Sequence, residues 1–139
     1  MKQHIMEANL LDHALSKFLR SSKEIDEKTI PKHITSVKGF ILRIIHRHGT
    51  CTVKNILQEV SLSPSATTNA LNHLEKEGLV IRSRNTDDRR TVWLELSQEG
   101  KRIAEQMVEN RQALIDQLFE KLSEEEKETF FALIEKIFT

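Results

Sequence analysis

The sequence predicts a mainly α-helical fold that carries one β-hairpin, in the order α-α-α-α-β-β-α-α. The chain has only four Gly and two Pro in 139 residues, and 30% of its residues are charged, which is typical of a helix-rich globular protein. Apolar residues recur at spacings of three and four along most of the chain, and they alternate with polar residues near position 92. A single folded domain is therefore expected.

Three helices are predicted in the N-terminal part of the chain. Apolar residues from Leu11 onward mark one face of a first helix, which ends before Pro31. A second helix runs from about Thr35 to His48 and stops at Gly49, a residue suited to the left-handed position after a helix. Thr52 is placed to cap a short third helix.

The fourth helix and the hairpin follow directly. The helix, from about Ser63 to Glu77, begins with an N-cap hydroxyl and a proline at its first position and ends before a glycine. Residues 80–84 and 91–96 are predicted to be strands, because apolar and polar side chains alternate along the second of them. The polar residues 85–90 join the strands, and the whole is a winged helix-turn-helix.

Two further helices complete the predicted fold. Ser97 is placed to cap a fifth helix that extends to about Leu122, a length of ~39 Å at 1.5 Å per residue. Ser123 and Glu126 form a capping-box signature that opens a sixth helix. Because the apolar stripe of so long a fifth helix exceeds what one small domain can cover, a second chain is expected to pack against it.

The fourth helix has two chemically different faces. Small hydroxyl and amide side chains on one face would let the helix enter the DNA major groove and bond to base edges. The same residue types are common on solvated helices, so this face alone leaves both interpretations open. The residues predicted to pack inward are Thr67, Ala70, Leu71 and Leu74. The residues predicted on the polar face are Ser65, Thr68, Asn69 and Asn72.

Arginines surround the hairpin loop. A hairpin of this kind beside a polar helix is suited to the minor groove, whose negative potential attracts arginine. Asp87 and Asp88 either pair with an arginine and fix its direction or form a solvated charged turn. The arginines concerned are Arg82, Arg84, Arg89 and Arg90.

The net charge of zero, with 21 basic and 21 acidic residues, at first argues against nucleic acid. The charges are segregated, however. Residues 35–96 hold nine Lys and Arg against six Asp and Glu, whereas residues 97–139 hold six against ten. The basic surface is therefore expected to coincide with the helix-turn-helix and the hairpin.

Two stretches resemble the MarR family of bacterial transcription regulators. One runs from Leu62 to Val80 and contains Leu74-Glu75 followed by Gly78-Leu79-Val80; the other is Asp88-Arg89-Arg90, followed by the second strand, Ser97 and Gly100. The resemblance implies that the fourth helix is a recognition helix, that Arg90 enters the minor groove held by Asp88, and that Arg89 contacts phosphate. The helix face, the hairpin arginines and the resemblance together predict these DNA-binding residues: Ser63, Ser65, Thr68, Asn69, Asn72, His73, Arg84, Asp88, Arg89 and Arg90.

The predicted function is a ligand-responsive repressor that binds double-stranded DNA as a homodimer. Residues 1–34 and 97–139 would form the dimerisation helices and residues 35–96 the DNA-binding lobe. The two-fold symmetry predicts a pseudo-palindromic operator with half-sites about one helical turn apart. The resemblance also implies a small-molecule effector at the dimer base. The alternative is a winged-helix protein-interaction module that does not bind DNA.

Other classes of function find little support in the sequence. There is no phosphate-binding loop and no nucleophile with a clear base, so neither an enzyme nor a cofactor is predicted. No apolar run approaches the ~20 residues of a membrane span, so a cytoplasmic location is expected. His46, His48 and Cys51 suggest a metal site, but alternating His residues near a helix end point apart, and no metal is predicted. Cys51 is expected to be an inert structural thiol rather than a redox switch.

Overall fold

The computed structural model describes residues 1–84 and 90–139. Within these ranges the chain is mainly helical, as predicted, and its elements are α1 (Lys2–Thr29), α2 (Ser36–His48), β1 (Thr50–Thr52), α3 (Val53–Glu59), α4 (Pro64–Lys76), β2 (Val80–Arg84), β3 (Val92–Leu96), α5 (Gln98–Leu118) and α6 (Glu124–Phe138). We refer to residues 35–96, which contain α2 to β3, as the winged-helix lobe.

Hydroxyl side chains begin five of the helices. Each accepts a hydrogen bond from the backbone N–H three residues later, which satisfies a donor that the first helical turn leaves unpaired. These N-caps are Thr35, Thr52, Ser63, Ser97 and Ser123. Gly49 and Gly78 adopt positive φ angles of 79° and 74°, which confirms the two predicted helix stops.

The hairpin belongs to a three-stranded antiparallel sheet rather than to an isolated ribbon. β1 pairs with β3, so the strand order is β1-β3-β2, and Cys51 lies opposite Leu94. β1 was not predicted from the sequence, because three residues are too few to show alternation and their partner strand lies far along the chain. In β3 the alternation holds: Leu94 and Leu96 are buried, whereas Trp93 and Glu95 are exposed.

The core of the winged-helix lobe lies between α2, α3, α4 and the sheet. Four residues of α2, Ile41, Leu42, Ile44 and Ile45, are fully buried there. They contact an inner face of α4 that is buried as predicted. Ile103 and Ala104 of α5 extend the same core. The orientation of α4 is thus fixed by apolar packing along one whole side of the helix.

Gly100 allows α5 to approach the end of α4 closely. A Cβ atom at position 100 would lie 2.2 Å from the carbonyl oxygen of Leu79, so a larger residue would force the backbone apart. Ser97 Oγ donates to the Gly78 carbonyl oxygen at 2.6 Å, and the Ser97 N–H donates to the Leu79 carbonyl oxygen at 3.0 Å. These contacts attach the first turn of α5 to the winged-helix lobe.

α5 is shorter than predicted. It ends at Leu118 after 21 residues, or ~31 Å, so the expected continuation to Leu122 is wrong. The chain turns at Phe119, whose ring centroid lies 4.7 Å from that of Phe130 and 5.6 Å from that of Phe131. These aromatic contacts hold α6 against the end of α5.

α1 and α6 contain no buried residue. α1 begins at Lys2, earlier than the predicted start at Leu11. Asn110, a nearly buried residue of α5, attaches α1 by donating from Nδ2 to Asp26 Oδ1 at 2.9 Å and to Thr29 Oγ1 at 2.8 Å. Exposed apolar residues of the two terminal helices include Ile5, Leu10, Leu15, Leu19, Leu133, Ile137 and Phe138.

Candidate nucleic-acid interface

The outward face of α4 is the polar surface that the sequence predicts. The four inward residues are buried, and Thr67, the polar one among them, donates its hydroxyl to the Ser63 carbonyl oxygen at 3.1 Å. The opposite face carries short hydrogen-bonding groups on a helix that packing holds rigidly. Its exposed residues are Ser65, Thr68, Asn69, Asn72 and His73.

The N-terminus of α4 offers less to a phosphate than a bare helix end would. Pro64 has no N–H, and the Ala66 N–H donates to Ser63 Oγ at 3.1 Å. The Ser65 N–H is therefore the first-turn amide that is left for an anion. Ser63 acts as the cap, and its hydroxyl hydrogen remains a donor.

The Arg82 side chain faces α4 rather than the hairpin loop, in contrast to the expectation from sequence. It lies on β2 on the same side as the buried Val80, and this side faces α4. Its Nη2 donates to Asn72 Oδ1 at 2.9 Å, and its Nε lies 2.7 Å from Glu75 Oε2. Arg82 therefore connects β2 to α4. Strand alternation, which groups Arg82 with Val80, is the sequence signal that could have identified this contact.

A second ion pair lies at the C-terminal end of α4. Glu77 Oε1 contacts Lys38 Nζ of α2, and Glu77 Oε2 lies 3.6 Å from His33 Nε2. The Lys38 side chain is only 12% exposed, so this pair is well shielded from water. Because Glu75 and Glu77 each have a cationic partner, the acidic end of α4 would repel a phosphate less than two free carboxylates would.

Arg84 and Arg90 lie at the two sides of the hairpin loop. Arg84 is the last residue of β2 and pairs with Val92, and Arg90 lies two residues before β3. Both are exposed. The other predicted wing residues, Asp87, Asp88 and Arg89, lie outside the described residues, so the predicted ion pair between Asp88 and Arg90 stays a prediction.

His46, His48 and Cys51 point in different directions. His48 Nε2 lies 3.0 Å from Glu59 Oε1, and His46 Nε2 lies 4.0 Å from Glu105 Oε1. No group of three or more His, Cys, Asp or Glu among residues 1–84 and 90–139 is arranged to hold a metal ion. Burial, together with the negative charge of Glu59, raises the pKa of the Cys51 thiol and so disfavours the reactive thiolate.

A cleft of about 810 Å³ opens where the end of α1, residues 30–36 and α5 meet. Asp26 and Met107 line both this cleft and a smaller adjoining pocket, which contains Arg43 and Arg111. Burial lowers the pKa of Arg43, and the charge of Arg111 lowers it further. The Arg43 Nε is buried and has no hydrogen-bond partner in the described part of the chain. A cationic group with unused hydrogen-bonding capacity therefore lies beside an open cleft.

Comparison with known proteins identifies the family. The sequence pattern of the MarR family matches residues 34–92. The chain is also 66% identical over 132 residues to YwhA of Bacillus subtilis (strain 168), an uncharacterized HTH-type transcriptional regulator, with 95% of each chain covered. The chain belongs to the MarR family. The resemblance stated from the recognition-helix and wing residues is thus confirmed, and the MarR match covers almost all of the winged-helix lobe.

Other relatives agree with this assignment. The HTH-type transcriptional repressor MdtR of B. subtilis is 31% identical over 109 residues, which are 78% of this chain and 70% of MdtR. A MarR family protein from Bacillus stearothermophilus has a similar structure, with a TM-score of 0.82 at 25% identity over 99% of this chain and 94% of that one. A cysteine-to-serine mutant of Escherichia coli MarR complexed with operator DNA gives a TM-score of 0.73 at 26% identity, over 98% of this chain and 96% of that one.

The MarR-family fold extends over the terminal helices as well as the lobe, since both solved structures cover nearly the whole chain. The predicted winged-helix fold is therefore confirmed. Within residues 1–84 and 90–139, none of the helices combines the length and the hydrophobicity that a bilayer crossing needs.

Proposed function

We propose that this MarR-family regulator, which is not an enzyme, is a repressor that binds a pseudo-palindromic operator as a homodimer and releases it when a small effector binds. The observation that carries the proposal is the two-sided α4, whose inner face is fixed in the lobe core and whose outer face presents hydroxyl and amide groups. Such side chains bond to base edges when a helix enters the major groove. The operator complex of the related E. coli MarR mutant supports this use of the fold.

Base contacts are assigned to the outer face of α4 and backbone or minor-groove contacts to the wing. Ser65, Thr68, Asn69, Asn72 and His73 are exposed together on α4. Ser63 and the Ser65 N–H lie at the helix N-terminus, where the helix dipole favours phosphate. In the wing we assign minor-groove and phosphate contacts to the predicted residues, which are Arg84, Asp88, Arg89 and Arg90.

The terminal helices are assigned to the dimer. α1 and α6 expose leucine, isoleucine and phenylalanine side chains along their length, and such surfaces are normally covered by another chain. We assign residues 1–34 and 97–139 to this base and residues 35–96 to DNA binding. An isologous pairing of two chains would present two copies of α4 to half-sites about one helical turn apart.

The effector is assigned to the cleft between α1 and α5. Its apolar wall, which includes Ile30, Ile34 and Met107, suits a small phenolic or lipophilic molecule, and Arg43 could bind a hydroxyl or acidic group on that molecule. Because the cleft lies between the dimer base and the lobe, a bound ligand can change the angle between them. DNA release follows if that angle sets the distance between the two copies of α4.

The DNA-binding proposal is tested by replacing a wing arginine. Arg90→Ala should weaken binding to all DNA sequences, by about tenfold or more, and should reduce the slope of log affinity against log salt by about one. The measurement is a fluorescence-anisotropy titration on the chain's own upstream DNA at two salt concentrations. Arg102→Ala removes an exposed arginine from α5, which is paired with Glu99, and is the matched control.

Two results would contradict the proposal. If Arg90→Ala binds as tightly as the parent chain, the wing assignment is wrong. If the parent chain shows no salt-dependent binding even at low salt, the protein-interaction module is favoured instead.

A further inference from the structure

The contact between Arg82 and Asn72 fixes the orientation of the Asn72 amide. Arg82 Nη2 lies 2.9 Å from Asn72 Oδ1. A guanidinium group carries only hydrogen-bond donors, so the amide atom that faces it must be the oxygen. The Asn72 Nδ2 group therefore points away from Arg82, and it has no partner among the described residues.

Arg82 is itself held in place. Its side chain is 29% exposed, and its Nε, which is shielded from solvent, lies 2.7 Å from Glu75 Oε2 in an ion pair that lacks the angle of a hydrogen bond. Asn72 and Glu75 are separated by one turn of α4, so the planar guanidinium spans both. Freeing the Asn72 oxygen would break this contact and leave Arg82 with only its charge interaction.

Asn69 provides the contrast within the same helix. Asn69 lies one turn before Asn72 and is likewise exposed. Its side-chain amide makes no hydrogen bond within the described part of the structure. Its amide can rotate to present both an acceptor and a donor, which is what bidentate pairing with adenine N6 and N7 requires. Two asparagines on one face thus differ in what they can offer to a base.

We infer that Asn72 is a specificity-determining residue that presents only an amide donor to the major groove and selects guanine. This inference rests on the proposed DNA-binding function. Guanine places two adjacent acceptors, N7 and O6, at the groove edge. Adenine places one acceptor, N7, next to the N6 amino donor, and the outward Nδ2 group of Asn72 cannot accept a hydrogen bond from that donor. Of the two asparagines, only Asn69 therefore keeps the free acceptor and donor that bidentate bonding to adenine needs.

Selection of DNA sequences measures the base preference at the position of Asn72. Double-stranded DNA with randomised positions is selected for binding by the full chain, and Asn72→Ala identifies the base pair that Asn72 contacts, because preference is lost there. The parent chain should favour G·C at that pair over A·T by about fivefold or more in Kd. Asn69→Ala should remove preference at a different pair.

Releasing the amide should change the preferred base pair. The double variant Arg82→Ala with Glu75→Ala keeps the net charge of the parent chain and frees Asn72 Oδ1, so preference at the mapped pair should shift toward A·T. Glu75→Gln retains the Arg82–Asn72 hydrogen bond and is the control, so it should keep G·C. Thermal unfolding of each variant confirms that it folds.

A second variant makes the test independent of the folding of the double variant. Asn72→Asp still accepts from Arg82 but turns an oxygen outward in place of the amide, which suits the cytosine N4 donor. The preferred base should change from guanine to cytosine on the same strand, together with weaker binding overall because of the added negative charge.

Each result has a distinct meaning. If the parent chain favours A·T at the mapped pair, or if Asn72→Asp leaves guanine preferred, the inference about Asn72 is overturned while the DNA-binding function stands. If the parent chain enriches no sequence, the proposed function fails, and the assignment of Asn72 fails with it.

Discussion

The winged-helix lobe and the terminal helices bury their apolar residues in different ways. In α2 of the lobe, Ile41, Leu42, Ile44 and Ile45 are completely buried by other elements of the same chain. In α1, Leu10 is 70% exposed and Leu15 is 51% exposed, although apolar residues recur at spacings of three and four in both helices. The lobe thus completes its core within one chain, whereas α1 and α6 present faces that only another surface can cover.

The amphipathic pattern of a helix therefore does not identify which surface will cover its apolar face. In α2 the partners are α4, β3 and α5, and the packing fixes the position of α4. In α1 the contacts within the chain include polar ones, such as that between Asn110 and Asp26, and they leave most of its large apolar residues exposed. Changes in the two regions should therefore have different consequences.

The largest effect is expected from charges in the proposed dimer surface. Leu15→Asp combined with Ile137→Asp would bury carboxylates that cost several kcal/mol each, and two-fold symmetry would repeat the cost in both chains. Light scattering after size-exclusion chromatography should then give the mass of one chain, 16.1 kDa, in place of twice that value.

Ile81→Asp is the control for this change. Ile81 is 45% exposed, close to the value for Leu15, but lies on β2 in the lobe. It should leave the dimer intact. A dimer that survives the double substitution would disprove the assignment of the terminal helices.

A smaller effect is expected where α5 joins the lobe. Gly100→Ala places a Cβ against the Leu79 carbonyl oxygen and should lower the free energy of unfolding by about 1–3 kcal/mol, because backbone has to move. Gly39→Ala meets only the end of the Met107 side chain, at 2.3 Å from Cε, and this group can rotate away.

Alanine also has a higher helix propensity than glycine, so Gly39→Ala should lower the free energy of unfolding by less than about 1 kcal/mol or leave it unchanged. Urea unfolding of both variants at one protein concentration measures the difference. An equal decrease in the free energy of unfolding at the two positions would mean that the contact between α5 and the lobe tolerates movement. The close contacts of Ser97 and Gly100 indicate that it does not.

The smallest effects are expected from the two capping boxes. Thr52→Ala and Ser123→Ala each remove a cap, with an expected loss of about 1 kcal/mol. Because Thr52 lies in the lobe, the stability lost in Thr52→Ala should be the same at every protein concentration. Ser123 begins a helix of the proposed dimer base, so the stability lost in Ser123→Ala should appear mainly as weaker dimer association on dilution.

Thr52→Ser and Ser123→Thr keep the hydroxyl and should restore most of the stability in each case. Thermal unfolding over a hundredfold range of concentration measures the comparison. If dilution affects both alanine variants equally, the two regions do not differ in the way proposed here.

Features that depend on residues close together in the chain could be predicted from the sequence. Caps such as Ser63 and Ser97, the stops at Gly49 and Gly78, and the division of α4 into two faces were all predictable, because each rests on contacts within about one helical turn. The motif around α4 was specific enough to indicate the MarR family, which the comparisons confirm.

Features that depend on residues far apart in the chain became visible in the folded structure. β1 exists because Cys51 meets Leu94 of β3, and α5 ends at Leu118 because Phe119 packs on α6. In the candidate site, the Arg82 side chain faces α4 and occupies the Asn72 Oδ1 atom, which leaves the amide group of Asn72 facing outward. A local sequence pattern predicts which side of a helix or strand a residue lies on. The hydrogen-bond and ion-pair partners of its side chain depend on elements that folding brings together, and here those partners determine the chemistry of the surface.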